Sequence, residues 1–70
     1  MKHTAVIGSS HVASIGHEGL VLEVRFLNGD LWEYLGVSCD VYNKVINAES
    51  VGKAFIEYVR SANYASRKIG

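Results

Sequence analysis

The segment from Leu20 to Leu35, LVLEVRFLNGDLWEYL, limits this chain more than any other feature. Two runs rich in β-branched and aromatic residues flank Asn28-Gly29, a strong short-range cue for a β-hairpin. In the first run Leu20, Leu22, Val24 and Phe26 alternate with Val21, Glu23, Arg25 and Leu27. A period of two places each set on its own face of a strand. The pattern predicts strands from Leu20 to Leu27 and from Leu31 to Leu35.

The parity of the turn then decides what each face carries. A two-residue turn pairs Leu27 with Asp30 and Val24 with Glu33, which puts Glu33 among the apolar residues. It also leaves Trp32 and Tyr34 bare beside Arg25, as a stacking platform for unpaired bases. A turn of odd length reverses this. Trp32 and Tyr34 join Leu22, Val24 and Phe26, and Glu33 points out with Glu23 and Arg25. An unpaired buried carboxylate costs several kcal/mol, more than the preference for a two-residue turn. Gly29 also suits a three-residue loop with a left-handed bulge. The odd turn is therefore expected. It moves both aromatics into the core and leaves Val21, Leu27, Leu31 and Leu35 around the charges of the open face.

A further strand is expected from Ser10 to His17, with Ser9-Ser10 closing a turn or capping it. After Gly36 the period changes. Val41, Tyr42, Val45 and Ile46 form a helical stripe, with Ser38 placed to cap it and Asp40 in its first turn. Ser50 caps a second helix with the stripe Val51, Ala54, Phe55, Tyr58, Val59 and Ala62. The fold class is α+β: a three-stranded antiparallel meander followed by a two-helix hairpin packed on one face, in the order β-β-β-α-α. Residues 1–70 form one domain, with an ordered core over about 6–64 and a mobile tail over 65–70.

At 70 residues the chain buries only about 60% of its unfolded surface, so little apolar material remains for a deep cavity. Lys and Arg balance Asp and Glu at seven each. No global field draws in nucleic acid or acidic lipid. The distribution is uneven, because Lys53, Arg60, Arg67 and Lys68 face only Glu57 after Ser50. A lone cysteine, Cys39, rules out an internal disulfide and fits a reducing, cytoplasmic setting. The first residues hold too short an apolar run for a signal peptide. No stretch approaches the roughly 20 apolar residues of a membrane span.

Few residues suggest chemistry. Ser50-Val51-Gly52-Lys53 opens the second helix, where free N–H groups and Lys53 would hold an anion. It is not a P-loop, since Asn47 and Ala54 stand where glycine and Ser or Thr are required. His3, His11 and His17 have no metal-ligand spacing, Cys39 has no placed base, and the acids show no paired spacing for hydrolysis. No nucleophile, base and orienter come together, so neither an enzyme nor a cofactor or metal is expected. Two binding surfaces are. One is an anion or nucleic-acid site of Ser50, Gly52, Lys53, Arg60, Arg67 and Lys68. The other is a protein-interaction or self-association patch of Val21, Arg25, Leu27 and Leu31 on the open sheet face.

The spacing of Ser9-Ser10-His11-Val12, Ile15-Gly16-His17, Leu22-x-Val24-x-Phe26-x-x-Gly29-x-x-Trp32-x-Tyr34-x-x-Val37, Val41-Tyr42, Ala48-x-Ser50-x-Gly52-Lys53-x-Phe55, Val59-Arg60 and Tyr64 resembles the KTSC domain. That family is a short module found at the end of some lysyl-tRNA synthetases and as stand-alone bacterial and phage proteins. Its central Tyr-x-Tyr stands here as Trp32-Glu33-Tyr34, and its usual proline as Ser38. Fusion to a synthetase makes RNA the partner that the resemblance implies. The alternative expectation is a protein of the transcription or translation machinery, such as a polymerase or synthetase.

Overall fold

The computed structural model describes residues 1–70. Its strands are β1 (His3–Ala5), β2 (Val12–Glu18), β3 (Val21–Phe26), β4 (Leu31–Leu35) and β5 (Ala65–Lys68). The helices α1 (Cys39–Ile46) and α2 (Val51–Tyr58) lie between β4 and β5, followed by a 3-10 turn at Arg60–Ala62. The sheet is antiparallel throughout and runs β1-β2-β3-β4-β5. It is an α+β fold, but with five strands where the sequence patterns suggested three. The meander is the central part, and a short strand is added at each edge. Residues 65–70, expected as a mobile tail, are tied to β4. Beyond the ladder itself, Leu31 exchanges backbone hydrogen bonds with Ile69 and Gly70 at 2.7–3.1 Å.

The turn between β3 and β4 has odd parity. The Phe26 N–H donates to the Asp30 carbonyl at 2.8 Å, closing a three-residue loop. Gly29 sits in the left-handed region at φ 96°, and its N–H donates back to the Phe26 carbonyl at 3.0 Å. The Asn28 side chain accepts from the Asp30 N–H at 2.9 Å and fixes the corner. Val24 therefore faces Trp32, and Leu22 faces Tyr34. Glu23 lies directly opposite Glu33, and Arg25 opposite Leu31.

The helix-covered face holds the core: Val12, Ile15, Leu22, Val24 and Tyr34 from the sheet, Val37 and Val45, and Ala54, Phe55 and Val59. Phe55 joins the layers, meeting Phe26 and Tyr34 edge to face at 5.7 and 5.4 Å between centroids. Ser38 and Ser50 cap the two helices, accepting from the N–H groups of Val41 and Lys53. Leu20 departs from the expected alternation. It lies in the tight turn after Gly19, outside β3, and is exposed. The second helix is also shorter than its stripe suggested. It ends at Tyr58, and Asn63, at φ 61°, turns the chain toward β5.

Candidate nucleic-acid interface

α2 is eight residues long and turns Gly52, Ala54 and Phe55 inward, with Phe55 on Phe26 and Tyr34 of the sheet. Gly52 sets how closely its first turn approaches. A Cβ there would lie 2.7 Å from the Ser9 hydroxyl oxygen. That oxygen already accepts from the N–H groups of His11 and Val12 at 3.2 and 3.0 Å, which folds the loop before β2. Only glycine at this position lets the capped turn of β2 and the start of α2 touch.

A groove follows from this docking. Ser50, Gly52 and Lys53 share a shallow lobe of about 310 Å³ with Ser9, Ser10 and His11. Through Ser10, His11 and Ile56 it continues into a lobe of about 430 Å³ between α2 and the hairpin tip. Through Phe26, Asn28 and Arg60 that lobe opens into a third, of about 320 Å³, walled by Trp32, Tyr34 and Tyr64. The three share residues in sequence and form one trough along α2. Lys53, in the first turn of α2, stands toward one end, and Arg60, just beyond the end of α2, toward the other. Neither has an acidic partner; the ion pairs of this protein are His3–Glu23, Arg67–Glu33 and Lys68–Asp30.

The residues expected to bind an anion are thus divided. Ser50, Gly52, Lys53 and Arg60 line the trough. Lys68 shares the row of Val24 and Trp32, near the far lobe, but pairs with Asp30 at 3.4 Å. Arg67 lies on the opposite side of the sheet, beside Glu33, and its Nε donates to that carboxylate. His11, Phe26, Trp32, Tyr34 and Tyr64 complete the trough. Sequence patterns assigned Trp32 and Tyr34 to the core, and the register does turn them inward. Tyr34 is 7% exposed, yet Trp32 is only partly buried because α2 stops short of it. Tyr34 is also displaced in its ionisation. Burial holds its phenol above the usual 10.0, and the nearby Arg60 charge pulls the other way.

The open sheet face is more polar than its aliphatics suggested. The His3 ring crosses Gly16, where a Cβ would meet it at 2.8 Å, and bonds both the Ser14 hydroxyl and Glu23 at 2.8 and 2.7 Å. A cross-strand row therefore runs His3, Gly16, Glu23, Glu33, Arg67. The two facing carboxylates, which would repel, are each met by a basic group from an edge strand. His3 thus has the acidic neighbour that linear spacing did not show. Of the expected patch of Val21, Arg25, Leu27 and Leu31, three share one face of the β3–β4 ladder and Leu27 does not. Leu27 belongs to the hairpin loop and the trough, Leu31 is bound along its backbone by Ile69 and Gly70, and Arg25 folds back to donate to the Gly29 carbonyl at 2.7 Å. His17 donates to or accepts nothing in the trough; its Nε2 bonds the Val37 carbonyl at 2.7 Å, and its ring stacks on Tyr42.

A family model described as the KTSC domain matches residues 8–64. The chain belongs to the KTSC domain family. Its fold is similar to the crystal structure of a KTSC domain protein from Yersinia pestis. The two are 31% identical with a TM-score of 0.85, over 99% of this chain and 97% of that one. That coverage takes in the edge strands outside residues 8–64. No curated protein matches the chain. The loop at Ser9, the Trp32-Glu33-Tyr34 strand, Gly52-Lys53 and Arg60 all fall inside the KTSC match, and all but Glu33 reach the trough. No helix of this KTSC domain is long and apolar enough to cross a membrane.

Proposed function

We propose that this KTSC domain is a non-catalytic binding module for RNA, and that the trough along α2 receives the strand. The observation that carries the reading is the joint presence, in one trough, of two basic side chains without acidic partners, Lys53 and Arg60, and a wall of aromatic rings. Phosphates supply affinity through Lys53 and Arg60, and stacking supplies affinity with little sequence preference. With two phosphate contacts on a single strand, log affinity falls against log salt with a slope of roughly −1.4. Fluorescence anisotropy of a labelled single-stranded RNA between low and moderate salt tests this. The double variant K53E/R60E is expected to abolish the salt-dependent binding. Equal affinity of the variant and the parent protein, or no binding at low salt, would rule the reading out.

A second reading, a protein partner from the transcription or translation machinery, rests on one feature. Leu20 and Leu35 are exposed beside Val21 at one end of the open sheet face. Such a partner, or a second copy of the domain, would be lost on a Leu35→Lys substitution. Nuclease treatment before a pulldown separates the two readings, because only an RNA-bridged capture disappears.

A further inference from the structure

The far lobe of the trough carries a more specific assignment, which rests on the RNA reading above. Beyond the end of α2 the helix layer gives way to the Arg60–Ala62 turn, and a strip of sheet with Trp32 and Tyr34 lies under Tyr64 and Arg60. The lobe measures about 320 Å³, near the lower bound of pockets that hold small ligands, roughly 300 Å³. Its floor contains Tyr34, 7% exposed, whose hydroxyl makes no hydrogen bond within the protein. No buried side-chain oxygen or nitrogen lacks a partner, so this hydroxyl opens onto the lobe rather than being sealed beneath it. A phenol so placed donates one hydrogen bond and accepts others. Arg60, without an acidic partner, lines the same lobe. Asp30 stands on the other wall, and Lys68 offsets its charge.

We infer that this lobe takes one unpaired nucleotide of an RNA strand, with its base against the Trp32 indole and its phosphate on Arg60 and the Tyr34 hydroxyl. The indole offers an apolar face for the ring, while the phenol and guanidinium together supply donors for an anionic oxygen. A base within a duplex is stacked on both sides and cannot enter a lobe of this size. The occupant is therefore a single-stranded or looped-out nucleotide.

Trp32 is the one tryptophan of the chain, so its emission reports on this lobe alone. A short single-stranded RNA is expected to quench it saturably, at the concentrations that bind by anisotropy. A blunt RNA duplex of equal length is expected to leave it unchanged. Tyr34→Phe keeps the ring and its packing, with folding checked by thermal melting, and is expected to weaken strand binding roughly tenfold. Strand binding without quenching, or Y34F binding as tightly as the parent, overturns the inference while the RNA reading stands. Quenching by the duplex as strong as by the strand also overturns it, as does equally tight quenching by adenosine monophosphate alone. Absence of binding by any RNA removes both.

Discussion

Tyr34 belongs both to the core and to the lining of the trough. Its ring packs edge to face on Phe55, and its hydroxyl ends at the trough. Burial raises the phenol above its ordinary 10.0, and Arg60 partly offsets the rise. The folded chain therefore keeps this proton at pH values where the unfolded chain has released it. The stability contributed by Tyr34 is complete below about pH 10 and is lost as pH rises through the folded-state value. Urea midpoints measured from neutral to strongly alkaline pH are expected to fall less steeply in Y34F than in the parent. They are expected to fall more steeply in Arg60→Ala, which removes the charge that favours the phenolate. Identical slopes in all three proteins would place the phenol in open solvent. Gly29 acts at the same scale. Its left-handed backbone gives the loop three residues instead of two, and one residue more or less would turn Trp32 and Tyr34 to the other side.

At the level of elements, the edge strands account for most of what the sequence did not disclose. The central hairpin was legible because period-two alternation and Asn28-Gly29 agree. Both helices were legible from their stripes and from Ser38 and Ser50 as caps. β1 and β5 have three and four residues, no apolar alternation, and side chains that are mostly exposed. What holds them is backbone pairing to a sheet that already exists, together with side-chain bonds to two carboxylates. His3 meets Glu23, and Arg67 meets Glu33. Facing carboxylates become visible only once the register of β3 against β4 is known, so the need for basic neighbours could not be read from spacing. This separates two arginines that linear charge counting had grouped. Arg67→Ala is expected to lower folding stability by up to about 1 kcal/mol, since its side chain is largely exposed, and to leave RNA affinity nearly unchanged. Arg60→Ala is expected to do the reverse. Denaturant melts and anisotropy on the two variants check the division, and an equal loss of affinity in both would contradict it.

For the whole molecule, the balance of charge hides a division between faces. One side of the sheet carries a row in which each carboxylate bonds a side-chain nitrogen, and the other carries helices and a trough where Lys53 and Arg60 have no acidic partner. The small core explains why the trough is shallow and lies along α2. Ten buried apolar core residues are enough to seat two eight-residue helices but not to roof the full width of five strands. The α+β class, the parity of the hairpin and part of the trough's lining, namely Ser50, Gly52, Lys53 and Arg60, could be read from sequence. The aromatic wall could not, because it depends on where a helix ends over a sheet and not on the residues' own spacing.

The most direct measurement is a map of backbone amide chemical shifts, recorded at low salt while a single-stranded RNA is titrated into the isotope-labelled domain. Shifts are expected to gather along the trough at His11, Lys53, Ile56, Arg60, Tyr64 and Trp32, and to shrink together as salt is added. Shifts confined to the opposite face around Val21, Glu23, Leu35 and Arg67, or an unchanged spectrum, would contradict the placement of the interface.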